Sequence, residues 1–85
     1  MENITIKNNL VKVKKTFDLF GKTAYIVKLA GSWECYLEKE DESFGSMGVY
    51  SEKMKDVESL AIDRIKSVVG RIASSPEKVM TKILK

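Results

Sequence analysis

The sequence contains no histidine and only one cysteine and one proline in 85 residues. Without an imidazole, no side chain titrates near neutral pH to activate a serine or a cysteine as a nucleophile. The single cysteine, Cys35, excludes a disulfide within the chain and fits a reducing compartment. We therefore expect a cytoplasmic protein that is not an enzyme and that uses no cofactor and no metal.

Long apolar runs are also missing. No stretch approaches the roughly 20 apolar residues that a membrane-spanning helix needs, and residues 1–7 lack the basic and apolar segments of a secretion signal. Hydrophobic residues still make up 44% of the chain, which is typical of a folded protein. The length predicts a single domain over residues 1–85. Because long apolar runs are missing, we expect no membrane partner.

The net charge of +3 is unevenly distributed along the chain. Residues 1–33 carry six lysines and two acids (+4), residues 34–63 three lysines and nine acids (−6), and residues 64–85 six basic residues and one acid (+5). Such segments can steer charged partners toward different faces of a small domain, or they can pack together and cancel.

The first half of the chain has the alternating pattern of strands. Val11, Val13 and Phe17 alternate with polar residues, and the pair Asn8–Asn9 before them fits a tight turn after a short apolar segment. Further strands are predicted at 23–29, at 33–38 and, weakened by glycines, at 45–50, with Gly21 at the left-handed position of a turn. Residues 11–38 thus form an antiparallel meander.

The second half changes to a helical period. Apolar residues recur at steps of three and four from Met54 to Ile72, with Ser51 as the predicted N-cap. Ser75 followed by Pro76 predicts the start of a short second helix. The fold class is therefore α+β: an antiparallel meander of three to five strands, then a long amphipathic helix and a short C-terminal helix.

Three groups of residues could take part in chemistry, and each also has a purely structural explanation. The alternation of residues 33–38 places Cys35 on the inward face of its strand with Trp33 and Leu37, and Glu34, Tyr36 and Glu38 on the outward face. Cys35 is therefore predicted to be a core residue and not a nucleophile. The acidic run Glu38, Glu40, Asp41 and Glu42 lacks the ligand spacing of a calcium loop, so we expect a solvated hairpin tip that offers an acidic patch to a basic partner. The glycines of segment 45–48 are not followed by the Lys-Ser/Thr pair of a phosphate loop.

A basic sheet face is the alternative binding site. Lys12, Lys14 and Lys28 lie on or beside predicted strands, Tyr25 or Tyr36 offers a ring for stacking, and the helix adds basic residues, Arg64 and Arg71. In this chain the strands are followed by the segment Gly-Ser-Met-Gly-Val-Tyr-Ser-Glu-Lys and a helix, an order that resembles the end of a double-stranded-RNA-binding domain. The same strand-strand-strand-helix order resembles small antitoxin-type domains to the same degree. The paired lysines and the N-terminal helix of the former are missing, so we assign no family.

A protein-binding surface is the interpretation that we favour. If one helix covers the sheet, the opposite face stays open, and we expect Ala24, Ile26 and Tyr36 on it. Met80, Ile83 and Leu84 of the terminal helix either extend this patch or fold back to close the sheet. We therefore expect a small regulatory or inhibitory protein that binds another protein, as phage and mobile-element accessory proteins do, with nucleic acid as the alternative partner and a homodimer left open.

Overall fold

In a computed structural model that describes residues 2–84, antiparallel strands are followed by two helices, which confirms the predicted α+β class. The elements are β1 (Asn3–Ile6), β2 (Asn9–Lys12), β3 (Lys15–Leu19), β4 (Lys22–Leu29), β5 (Ser32–Glu38), β6 (Phe44–Ser51), α1 (Met54–Ile72) and α2 (Pro76–Ile83). The last four strands form a sheet in the order β3-β4-β5-β6, and β1 and β2 pair separately as a hairpin.

Three two-residue turns join neighbouring strands, and each holds both of its residues at positive φ. They are Lys7–Asn8, Phe20–Gly21 and Ala30–Gly31. Two left-handed residues in succession make the type I′ turn, whose twist matches that of antiparallel strands. Gly21, at φ 88°, takes the position predicted for it, whereas the first turn lies one residue earlier than the predicted Asn8–Asn9 pair.

The predicted strand at 11–17 is divided between the two sheets. The Val13 N–H donates to the carbonyl of Glu2 at 2.9 Å, while the Lys14 N–H donates to the carbonyl of Ile26 at 2.8 Å. Successive backbone groups therefore bond to different sheets, and the chain passes from the hairpin to the four-stranded sheet at this point. Period-two alternation continues through such a crossing, so the sequence did not reveal it.

The four-stranded sheet is covered on both faces. The helices pack on one face, and the buried core between them and the sheet comprises Leu19, Ala24, Ile26, Cys35, Leu37, Met47, Val49, Val57, Ala61, Ile65, Val79 and Met80. The β1–β2 hairpin packs on the other face, around a second buried cluster of Ile4, Ile6, Val13, Val27 and Tyr36. The molecule thus has three layers: hairpin, sheet and helices.

The expected open sheet face is therefore wrong. Ala24 and Ile26 are Cα partners of Leu37 and Cys35, and directly paired residues of neighbouring strands share a face. Ala24 and Ile26 consequently lie under the helices, fully buried. Tyr36 does point to the opposite face, but the hairpin covers it and leaves only 7% of it exposed.

Helix α1 buries the predicted stripe in part. Val57, Ala61 and Ile65 are fully buried against the sheet, whereas Leu60 and Ile72 remain exposed. The predicted N-cap is wrong: Lys53 precedes the helix, and Ser51 ends β6, where its Oγ accepts a hydrogen bond of 3.1 Å from the Lys53 N–H.

Helix α2 folds back onto the core. Ser75 is its N-cap, as predicted, and accepts a hydrogen bond of 3.4 Å from the Lys78 N–H, with Pro76 at the first helical position. Met80 is fully buried, and Ile83 and Leu84 are half-buried against the core. Of the two alternatives for this helix, the structure therefore supports closure of the sheet.

Candidate binding site at the β6 edge

Two strands, β3 and β6, lie at the edges of the sheet, and they differ in character. β3 has five residues, includes Lys15 and Asp18, and is tied to α1 by an ion pair of 3.7 Å between Lys15 and Glu58. β6 has eight residues, Phe-Gly-Ser-Met-Gly-Val-Tyr-Ser, and none of them is charged. Charge and short length protect an edge strand from pairing with another chain. By charge and length, β6 is therefore the less protected edge.

An irregularity in the middle of β6 shapes this edge. Tyr36 pairs with Ser46 and Glu34 with Tyr50, so a single residue of β5 lies opposite three residues of β6 between these pairs. Gly48 lies in the inserted segment with φ 74°, a left-handed conformation that favours glycine. A β-carbon on Gly48 would also lie 3.6 Å from the Arg64 guanidinium, so α1 approaches the strand closely here.

A crevice opens beside β6 on the hairpin side of the sheet. It has a volume of about 460 Å³ and is lined by Ile6, Lys7, Leu29, Glu34, Tyr36, Phe44, Ser46 and Tyr50. Glu34 and Tyr36 are two residues apart on β5, so their side chains share a face. The Tyr36 hydroxyl donates to Glu34 Oε1 at 3.3 Å. Tyr50 stands at the mouth with 59% of its surface exposed.

The chemistry of this crevice centres on the Glu34 carboxylate. Glu34 is 9% exposed, and it was expected to point into solvent. Burial, and then the nearby Glu34 charge, raise the pKa of Tyr36 to about 12. Tyr36 is consequently protonated over the physiological range and acts as a hydrogen-bond donor. The crevice therefore presents an acidic group at its base and aromatic rings along its walls.

A groove runs along the other side of β6, where α1 packs. It has a volume of about 390 Å³ and is lined by Val49, Leu60, Asp63, Arg64, Ser67, Val68 and Arg71. Within residues 2–84, the Arg64 Nε is the buried side-chain polar atom that lacks a hydrogen-bond partner. Two arginines against one aspartate make this groove basic. β6 therefore lies between a crevice that contains the buried Glu34 carboxylate and a basic groove.

The predicted acidic loop connects β5 to β6 at the end of the sheet near α2. Its residues Glu38, Glu40 and Asp41 line a cavity of about 320 Å³ together with Lys22, Lys39, Thr81 and Leu84. The Ser43 hydroxyl and backbone N–H donate to Asp41 Oδ1, which lowers the pKa of Asp41. Glu42, in the left-handed region at φ 70°, is exposed. Within residues 2–84, no group of three or more potential ligands could hold a metal ion.

The predicted basic residues are not brought together on one surface. Lys12 and Lys14 are exposed in and after the hairpin, and the Lys28 Nζ lies 5.3 Å from the centroid of the Trp33 ring. Arg64 and Arg71 lie on α1, which covers the opposite face of the sheet from the hairpin. The sequence pattern grouped these side chains, and the three-layer packing separates the hairpin lysine Lys12 from Lys28 and the two arginines, which lie on the helix side.

Cys35 lies in the core on the helix side, as expected. It is fully buried, and burial raises the pKa of its thiol to about 12. A thiol with so small a thiolate fraction at neutral pH is a poor nucleophile.

The sequence reasoning missed the crevice, although one signal for it was present. Tyr25, Val27 and Leu29 put a second apolar face on β4, opposite Ala24 and Ile26. A strand that is apolar on both faces requires a cover on each. With the helices on one face of the sheet, the N-terminal hairpin was the segment left to cover the other face. A hairpin in that position would also bury Glu34.

No helix within the described residues is long and apolar enough to cross a membrane. Comparison of the chain with protein-family models, with curated proteins and with solved structures finds no match.

Proposed function

We propose that this chain is a small non-catalytic protein that regulates or inhibits another protein by binding it along β6. The observation that carries the proposal is the uncharged eight-residue edge strand, with a crevice on one face and a groove on the other. The finer suggestion that it is a phage or mobile-element accessory protein rests only on its size and composition.

An edge strand with recesses on both faces suits the addition of an extended segment from a partner. Main-chain hydrogen bonds to the edge supply affinity, and alternate side chains of the added strand enter recesses on opposite faces. On β6, Tyr50 lines the crevice and its neighbour Val49 lines the groove. A partner segment with a basic side chain toward the crevice and an acidic one toward the groove would match both charges.

A different protein fits this edge better than a second copy of the chain. In a two-fold antiparallel pair of β6 strands, both copies keep α1 on the same face of the joined sheet. Arg64 and Arg71 of the two chains would then approach each other across the junction, and like charges in such positions are unfavourable.

The nucleic-acid alternative receives less support. It required an open sheet face that carries Lys12, Lys14 and Lys28, but both faces of the four-stranded sheet are covered. Lys12, in the hairpin, also lies on the opposite side of the sheet from the α1 arginines, whereas Lys28 pairs with Trp33 on the helix side.

Two matched substitutions test the proposal. Tyr50→Lys places a charge on β6, and Leu10→Lys places the same charge on β2, where Leu10 is 73% exposed and lines neither recess. The partner captured by the wild-type chain from its native host should be retained by Leu10→Lys and bound about tenfold or more weakly by Tyr50→Lys. Amide hydrogen exchange in the complex should slow across Phe44–Ser51.

Three results would contradict the proposal. The first is equal retention of the partner by both variants, and the second is protection that lies outside β6. The third is a wild-type chain that is monomeric by light scattering and captures no stoichiometric protein. A wild-type dimer that Tyr50→Lys dissociates would replace the proposed partner by a second copy. For the nucleic-acid alternative, Lys12→Glu combined with Lys14→Glu should abolish binding, and binding should fall steeply with salt.

A further inference from the structure

The Glu34 carboxylate is a buried acidic group without a cationic partner among residues 2–84. The one ion pair in that range joins Lys15 to Glu58, and Glu34 accepts a single side-chain hydrogen bond, from Tyr36. A carboxylate has about four acceptor positions, so most of its capacity is unused by protein groups. Taking a carboxylate out of water is unfavourable unless a cation or several donors compensate it.

The remaining capacity is directed into an accessible space. Glu34 lines the crevice of about 460 Å³. Among residues 2–84, the side-chain polar atom that is both fully buried and without a hydrogen-bond partner is Arg64 Nε, and not an oxygen of Glu34. A group that enters the crevice therefore reaches the carboxylate without displacing the core. Tyr36 remains a neutral donor beside it, so the charge at the base of the crevice is negative.

The walls favour a particular kind of cation. Tyr36, Tyr50 and Phe44 contribute aromatic rings, and Ile6 and Leu29 contribute aliphatic surface. Aromatic faces attract ammonium and guanidinium groups, and aliphatic walls accommodate an alkyl stem. A hard divalent metal ion instead needs six or more oxygen ligands, and the crevice offers one carboxylate and three hydroxyl groups.

We propose that this crevice binds an organic cation, an alkylammonium or guanidinium group, with its charge at the Glu34 carboxylate and its stem against the aromatic and aliphatic walls. This site is argued from the crevice alone and does not depend on β6 receiving a protein strand. The cation is either the side chain of a lysine or arginine in a partner or a free amine, because both present the same chemistry to Glu34.

Lys7 is the one cationic residue that lines the crevice. It is exposed and forms no ion pair with Glu34. We therefore place Lys7 at the rim, where its charge opposes entry of another cation. Its removal should leave binding unchanged or strengthen it.

The test is an NMR titration of the whole ¹⁵N-labelled chain with n-butylammonium, and with n-butanol as the neutral probe of equal length. Butylammonium should shift the amide resonances of Glu34, Tyr36 and Tyr50 in a saturable way, and butanol should not. Glu34→Gln keeps the shape and removes the charge, and it should weaken binding at least about tenfold. A thermal melt followed by circular dichroism establishes that this variant is folded.

Two further variants keep the test decisive if Glu34→Gln does not fold. Tyr50→Ala removes an exposed ring and should weaken binding about two- to fivefold, whereas Lys7→Gln should bind at least as tightly as wild type. Equal binding of butanol and butylammonium would overturn the proposal. Unchanged binding by Glu34→Gln, or by Tyr50→Ala, would also overturn it, and so would shifts that map away from the crevice.

The source of the cation is distinguished by a second ligand, the blocked tripeptide acetyl-Gly-Lys-Gly-amide. Tighter binding of the peptide than of butylammonium assigns the crevice to a lysine side chain of a partner, since the peptide backbone then adds contacts. Weaker binding of the peptide assigns it to a free amine. No partner protein is present in this assay, so the proposal of a cation site in the crevice and the proposal of protein binding along β6 can fail separately.

Discussion

Glu34 and Tyr36 lie on the same face of β5, where the Tyr36 hydroxyl donates a hydrogen bond of 3.3 Å to Glu34 Oε1 beneath the N-terminal hairpin. The pair shows how the third layer changes the chemistry of the sheet. Both residues would be ordinary solvent-facing side chains on a two-layer fold. The hairpin makes one a buried acid and the other a phenol that resists ionisation.

The raised pKa of Tyr36 predicts a loss of stability in alkaline solution. The folded protein holds the phenolic proton up to a pKa of about 12, whereas the unfolded chain releases it near 10. The contribution of the protonated Tyr36 to the free energy of unfolding is therefore fully present below pH 10 and is lost as the pH rises toward 12. Urea unfolding at several pH values should show a steeper fall for wild type than for Tyr36→Phe over this range. Parallel curves would contradict the assignment.

Burial of Cys35 predicts a thiol that reacts only after unfolding. Burial raises its pKa from 9.0 to about 12, so at pH 8 the thiolate fraction in the folded state is about a thousandfold smaller than in the unfolded chain. A chromogenic disulfide reagent should label the native protein very slowly and the urea-unfolded protein at once. Because this is the only cysteine, the signal is unambiguous. Rapid labelling without urea would show that the helix layer opens.

The hairpin should unfold together with the sheet that it covers. Ile4 is 3% exposed in the second buried cluster, and Ile4→Ala should lower the free energy of unfolding by about 2–5 kcal/mol. Trp33, which packs on the helix side, reports the unfolding of the sheet by fluorescence. Thr5→Ala, at the adjacent exposed position, should change stability by less than about 0.5 kcal/mol. If Ile4→Ala left the Trp33 transition in place, the hairpin would be an independent unit.

Two glycines should respond to alanine with opposite signs. Gly48 has φ 74° and faces the Arg64 guanidinium, so Gly48→Ala should destabilise the protein by about 1–2 kcal/mol. Gly70 lies within α1 and has nothing within 4 Å of an added β-carbon, so Gly70→Ala should stabilise by about 0.5–1 kcal/mol. Thermal melts of the two variants measure this, and a shift of the same sign in both would contradict the backbone assignment.

The elements themselves were largely predictable because their signals are local. Gly21 in a two-residue turn and Ser75–Pro76 at a helix start act through the backbone within a few residues. The candidate site was much less predictable. Of the residues expected on a binding surface, Ala24, Ile26 and Met80 are in the core, and the crevice centres on Glu34, which was expected to face solvent.

By itself, the sequence determined the α+β class and the order of the main strands and helices. Its periodicity also established that β4 is apolar on both faces. Only the tertiary structure decided which face lies under the helices and what covers the other. The physical reason is that alternation defines two faces of a strand but not the identity of their neighbours. Those depend on cross-strand register, such as Ala24 opposite Leu37, and on the hairpin folding over Tyr36.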